Sequence, residues 1–136
     1  PDDDDAASSS PPLPAWRAVV RGPPHTPFEG GAFALRLTVP AEYPFRPPDV
    51  RFLQPVHHPN IAPDGEVCLD LLSPAGWSPS PTAPAVLLSI QQLLAQPNAA
   101  DALVGAVARQ FAHARAAYER QARACTARHS AALAAG

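Results

Sequence analysis

Hydrophobic and polar residues alternate along three short segments in the first half of the chain, AWRAVVRG (15–22), AFALRLTV (32–39) and DVRFL (49–53). Side chains of a β-strand point alternately to its two faces, so a period of two indicates strands with one buried face. Short connections rich in proline separate the segments, which predicts an antiparallel meander. The residues expected to point inward are Trp16, Ala18, Val20, Phe33, Leu35, Leu37 and Val39.

The pattern changes to a helical period after residue 80. Thr82 is an expected N-cap and Pro97-Asn98 an expected end for a first helix, whose apolar face holds Val86, Leu87, Ile90, Leu93 and Leu94. Asp101 is expected to cap the next helix, and one or two helices are expected over 102–130. Their apolar stripe consists of Leu103, Val104, Val107, Ala108 and Phe111. Cys125 continues this stripe, so we interpret it as an inert buried thiol.

The composition of the chain is that of a globular protein. The chain has 136 residues, 46% of them hydrophobic, and a net charge of -2, which fits one soluble globular domain and argues against a nucleic-acid binder. Apolar runs are too short to span a membrane. Residues 1–14 are acidic and rich in serine and proline, so we expect a disordered segment before a domain over 15–132. Two distant cysteines suggest a reducing compartment, the cytoplasm or the nucleus.

The segment HPNIAPDGEVCLDLL (58–72) contains the other cysteine, Cys68. A tight turn at Asp64-Gly65 precedes it, and no helical stripe is available to bury its sulfur. By residue type alone, a buried structural cysteine remains the favoured interpretation over a reactive one. No Cys-x-x-Cys or paired histidine spacing predicts a zinc site.

These segments together resemble the ubiquitin-conjugating enzymes. FALRLTVPAEYPFRPPDVRFL, HHPNIAPDGEVCLDLL and GWSPSPTAPAVLLSIQQLLAQPNAADALV occur in that family's order, and Cys68 follows the asparagine of the His-Pro-Asn tripeptide by eight residues. The resemblance covers about residues 16–130. It implies the α+β fold of the family: an N-terminal helix, a four-stranded antiparallel meander, and C-terminal helices packed at one side. The N-terminal helix is missing here, and we expect truncation.

The resemblance also implies roles for individual residues. Cys68 would accept ubiquitin from the activating enzyme as a thioester and pass it to substrate lysines, usually with a ligase. Asn60 matches the amide donor for the oxyanion, although an asparagine in a turn also commonly bonds the neighbouring backbone. Asp101 matches the acidic residue that orients the incoming lysine, with Asp70 in a secondary role. Three loop residues match positions that contact ligases: Phe45, Pro79 and Ser80.

The resemblance implies neither a metal nor an organic cofactor, and His58 is expected to make structural hydrogen bonds. The expected partners are ubiquitin, its activating enzyme, ligases and substrate proteins, without nucleic acid or membrane. Two alternatives remain: the same chemistry with another ubiquitin-like protein, or a non-catalytic binding module. Ser73 and Pro81 depart from the common family pattern, which affects how ligases would stimulate transfer. The chain has no lysine, which fits either arginine-rich coding bias or protection from self-modification.

Overall fold

The computed structural model describes residues 14–74, 76–78 and 83–130, so most of the acidic segment expected to be disordered lies outside it. Strands β1 (Ala15–Arg21), β2 (Ala32–Thr38) and β3 (Asp49–Phe52) form an antiparallel sheet in the order β1-β2-β3. Each strand therefore pairs with the next one along the chain, as the period-two pattern predicted. Three α-helices follow the sheet within the described residues, which confirms the α+β class.

The fourth strand implied by the resemblance is reduced, in the described part of the chain, to isolated pairings. Glu66 pairs with Arg51 of β3, and Val67 pairs with Ile61. Gly65 precedes them with a φ of 93°, and a Cβ at this position would lie 2.1 Å from the Phe52 carbonyl oxygen. Only glycine fits a left-handed turn this close to another strand. This turn directs the chain from β3 towards Cys68.

The buried face of the sheet forms most of the core, and the first helix after the sheet supplies much of the rest. That helix, α1, spans Ala83–Ala95; its expected cap, Thr82, lies outside the described residues. The inward prediction was wrong for Trp16, which is 48% exposed. Burial increases along β1 from Trp16 through Ala18 to Val20. The core therefore packs against the second half of this strand and does not reach its first residues. The core members are Val20, Phe28, Phe33, Leu35, Leu37, Val50, Phe52, Ile61, Val86, Ile90, Leu94, Tyr118 and Ala122, the last two from the final described helix.

Helices α2 (Gly105–His113) and α3 (Arg115–His129) complete the described fold. The prediction that Asp101 caps the helix after α1 was wrong. Asp101 ends a separate short 3-10 helix, Ala99–Asp101. The Ala100 N–H at the start of this helix donates a hydrogen bond to the Asn98 side-chain oxygen at 3.1 Å. Asn98 thus takes the capping position, and the chain makes one further turn before α2 begins without a side-chain cap.

Candidate active site

The tripeptide His58-Pro59-Asn60 forms a buried turn at the centre of the candidate site. The Pro59 carbonyl oxygen accepts hydrogen bonds from the N–H groups of Leu103 at 2.9 Å and Val104 at 3.2 Å. The turn therefore holds the backbone that leads into α2. Leu103, expected in the apolar stripe, is bonded to this turn through its backbone, but its side chain is 39% exposed.

His58 has a structural role, as the resemblance implied. Its ring Nδ1 lies 3.0 Å from the Asn60 N–H, which donates to it, and its Nε2 lies 2.9 Å from the Leu93 carbonyl oxygen. An Nδ1 that accepts a hydrogen bond requires the proton to be on Nε2, so these partners select the neutral ring. Burial lowers the pKa of His58 to about 4. A ring bonded on both sides cannot serve as a base for the thiol.

This lowered pKa predicts a loss of stability in acid. Between about pH 6.5 and pH 4 the unfolded chain binds a proton at His58 that the folded chain does not, so the free energy of unfolding falls as pH falls. A pKa of about 4 instead of 6.5 corresponds to about 3 kcal/mol over this window. Urea unfolding of the parent and of His58→Asn at several pH values measures this difference. The variant should show a shallower pH dependence; equal slopes for the parent and His58→Asn would contradict the assignment.

Asn60 connects the cysteine segment to the 98–101 loop. Its Oδ1 accepts the Asn98 N–H at 2.8 Å, and its Nδ2 donates to the carbonyl oxygens of Asn98 at 2.7 Å and Asp101 at 3.2 Å. Its own carbonyl oxygen accepts the Cys68 N–H at 2.9 Å. Both hydrogens of the amide are therefore engaged, and the side chain is fully buried. A bond to an oxyanion would require Asn60 to release one of them, and the longer bond to Asp101 is the weaker one.

Cys68 is partly exposed and lines a groove of about 290 Å³. Burial raises the pKa of its thiol, and the negative charges of Asp101, Asp70 and Glu66 raise it further. The thiol is therefore protonated at neutral pH, and its thiolate is a stronger nucleophile than one of low pKa. The other lining residues are Leu69, Leu71, Ser89, Gln92, Leu93, Gln96 and Asn98.

The structure brings the four proposed catalytic residues to one place. Asp70 and Asp101 are exposed and line the same groove as Cys68, while Asn60 lies buried behind it. The sequence analysis interpreted Asn98 only as a helix end and missed its part in the site. Its backbone bonds Asn60, and its Nδ2 donates to the Asp101 carboxylate at 3.1 Å. An asparagine followed closely by an acidic residue is the signal of a side-chain cap that could have indicated it.

The proline loop after β2 is held by the loop that follows Cys68. The Trp77 Nε1–H donates to the Pro44 carbonyl oxygen at 2.8 Å, and the Trp77 and Tyr43 ring centroids lie 6.3 Å apart. Tyr43 is therefore half-buried, whereas Phe45 is 78% exposed. Pro79 and Ser80, predicted to belong to the same partner surface, lie outside the described residues.

Cys125 does not contribute to the groove. Its sulfur lies 3.6 Å from the Pro55 carbonyl oxygen, at the wall of a separate apolar cavity of about 240 Å³. The prediction of a buried thiol was wrong, because this cavity leaves Cys125 partly exposed. Burial raises the pKa of this thiol. Among the described residues there is neither a metal-binding cluster of His, Cys, Asp and Glu nor a helix long and apolar enough to cross a membrane.

Comparisons with known proteins agree with this architecture. A family model described as ubiquitin-conjugating enzyme matches residues 3–126. A curated relative from Arabidopsis thaliana, "Probable ubiquitin-conjugating enzyme E2 31", is 44% identical over 115 residues, covering 85% of this chain and 74% of the relative. The solved E2 domain of the Toxoplasma gondii ubiquitin conjugating enzyme TgTwinScan_2721 superposes with a TM-score of 0.81 at 36% identity, covering 86% of this chain and 81% of that one. This chain therefore belongs to the ubiquitin-conjugating enzyme family.

Proposed function

We propose that this chain carries ubiquitin as a thioester on Cys68, receives it from the ubiquitin-activating enzyme and delivers it to substrate lysines, usually with a ligase. The observation that carries the proposal is the position of Cys68, a partly exposed thiol in a groove backed by the buried Asn60. A thiol that takes an acyl group from one protein and passes it to another must be accessible in both steps. Both cysteines are free thiols, which is consistent with a protein that acts in the reducing environment of the cytoplasm or nucleus.

Two acyl transfers would take place at this sulfur. In loading, the Cys68 thiolate attacks the thioester carbon that joins ubiquitin to the activating enzyme, and the activating enzyme's thiolate leaves. In discharge, the neutral amine of a substrate lysine attacks the Cys68 thioester, a C–N bond forms, and Cys68 leaves as a thiolate that recovers a proton. The second step is favourable because an amide is more stable than a thioester. No oxidant, metal or organic cofactor is needed for either step.

The acidic rim suits a cationic acceptor. Asp70 and Asp101 face the groove with exposed carboxylates, and an approaching lysine ammonium is attracted to such a rim. Asp101 would receive a hydrogen bond from the amine and orient it, while removal from water favours the neutral form that attacks. Hydrogen bonds from Asn98 to Asp101, and from Asn60 to Asn98, hold this carboxylate beside the thiol.

Loading by purified components tests the proposal. Incubation with activating enzyme, ATP and ubiquitin should give an adduct on a non-reducing gel that disappears when a thiol reductant is added. Parallel reactions with another ubiquitin-like protein and its own activating enzyme separate the main alternative, since the preferred modifier loads at lower enzyme concentration. Failure to load with any modifier would support a non-catalytic binding module instead.

Phe45 is proposed as a ligase contact, together with Pro79 and Ser80. An apolar ring that is 78% exposed on a loop fixed by Trp77 is a preorganised anchor for a partner. Phe45→Ala should leave stability within about 0.5 kcal/mol and loading unchanged, because the ring contributes nothing to the core. Ligase-stimulated discharge should fall about tenfold, as for an interface anchor worth about 1–2 kcal/mol. Val19→Ala, an exposed change on the sheet, is the matched control; equal stimulation of Phe45→Ala and the parent would exclude this contact.

A further inference from the structure

Three arginines lie directly opposite one another on the outer face of the sheet. The strand register pairs Arg17 of β1 with Arg36 of β2, and Arg36 with Arg51 of β3. In each strand the neighbouring residues in sequence point towards the core. Because side chains alternate between the two faces of a strand, all three arginines project from the solvent face. Directly opposite side chains on neighbouring strands have Cβ atoms about 5 Å apart, and like charges in such pairs are destabilising. We call these three residues the arginine row.

Only one end of the arginine row is neutralised by the described residues. Arg51 forms ion pairs with Asp49 at 3.3 Å and Asp64 at 3.1 Å, and Glu66 lies opposite it. Arg17 and Arg36 form no ion pair within residues 14–74, 76–78 and 83–130. Both are exposed, and the β1 end of the row therefore presents two guanidinium groups that form no ion pair in this part of the chain.

We propose that the arginine row is a docking surface for an acidic peptide segment, and that its occupant is the chain's own run of aspartates, Asp2–Asp5. This run is the densest negative charge in the sequence, and the arginine row is the place in the described sheet where the register stacks three positive charges. Four extended residues span about 10 Å, which is close to the span of a row across three neighbouring strands. The two charge patterns are therefore matched in length as well as in sign.

The connection is long enough for this contact. Pro14, the first described residue, lies at the start of β1, where its carbonyl oxygen accepts the Val39 N–H at 2.9 Å. Residues 6–14 separate Asp5 from β1 and can reach up to about 30 Å, while Arg17 is three residues past Pro14. A tether of this length holds the aspartates at an effective concentration in the millimolar range. Because the contact is between exposed charges, salt should weaken it.

The absence of lysine gives a direct test. The Arg36→Lys variant contains a single lysine, placed in the middle of the arginine row. A water-soluble carbodiimide activates a nearby carboxylate, and the introduced amine attacks it to form an amide with release of the urea. Peptide mass spectrometry of the monomer should identify position 36 joined to Asp2–Asp5. The yield should fall on the order of tenfold between about 0.01 M and 1 M salt, because the Debye length shrinks from about 30 Å to 3 Å.

Arg109→Lys on α2 is the matched control, since it also supplies one exposed lysine but lies away from the sheet. It should give no link to Asp2–Asp5. Arg17→Lys provides a second position in the row and should give the same kind of link as Arg36→Lys. A link from position 36 to Asp49 alone, or to aspartates of a second chain in a covalent dimer, would overturn the proposal. Equal yields at low and high salt would overturn it as well.

Discussion

Cys68→Ala is expected to abolish ubiquitin loading as a thioester, because the described groove contains no other thiol to accept the acyl group. The described groove contains one thiol, and its remaining lining consists of apolar, amide, hydroxyl and carboxylate side chains. A gel of the loading reaction, run without reductant, measures the effect. Cys68→Ser should retain an acceptor but form an oxygen ester, which resists thiol reductants, and should form it far more slowly because a hydroxyl is a weaker nucleophile.

Cys125→Ala is the matched control for this prediction. Its sulfur lies in a separate apolar cavity beside Pro55, and its thiol stays protonated as burial raises its pKa. Loading of this variant should equal that of the parent. A thiol-sensitive adduct that persists in Cys68→Ala and disappears in Cys125→Ala would show that the site has been assigned to the wrong cysteine.

Asn60→Ala is expected to load ubiquitin but to discharge it about 100-fold more slowly to free lysine. Loss of one preorganised donor to an oxyanion typically costs a factor of this size. The structure adds a second cause, since Asn60 makes three hydrogen bonds that hold the Asn98 and Asp101 backbone. These bonds are part-buried, so their loss should cost about 0.5–1.5 kcal/mol each, and the variant should also be less stable. Single-turnover discharge and urea unfolding measure the two effects separately.

Asn98→Ala distinguishes the two causes. It removes the side chain that bonds Ala100 and Asp101, and so loosens the loop, without removing the Asn60 amide. If Asn60 acts by holding the loop, Asn98→Ala should slow discharge in the same direction. If Asn60 donates to the oxyanion, Asn98→Ala should have a much smaller effect. Discharge of Asn60→Ala at the parent's rate would contradict both roles.

The sequence predicted the parts of the fold that depend on local pattern. The inward faces of β2 and β3 follow from strict alternation, and Phe33, Leu35, Leu37 and Val39 are all buried as expected. The ends of the core were harder to predict: Trp16 continues the same alternation but lies beyond the packed region. Alternation identifies a face of a strand, but whether another element covers that face depends on contacts far away in the sequence.

In the candidate site too, sequence identified the residues but did not predict the contacts between distant segments. Cys68, Asn60 and Asp101 were identified as motif residues, but the bonds that join Asn60 to residues about 40 positions away depend on the folded chain. The expected cap at Asp101 failed because the chain first forms the short 3-10 helix Ala99–Asp101, so Asp101 ends that helix and does not directly precede α2. Cys125 was assigned to a packed helical face by periodicity, which does not reveal the cavity beside it.

Sequential labelling of the two thiols tests the central claim most directly. The loaded enzyme is treated with one maleimide under denaturing conditions, the thioester is then cleaved with reductant, and the newly freed thiol is marked with a second maleimide of different mass. Peptide mass spectrometry should find the second label on Cys68 alone and the first label on Cys125. The second label on Cys125, with the first on Cys68, would contradict the assignment of the acyl carrier.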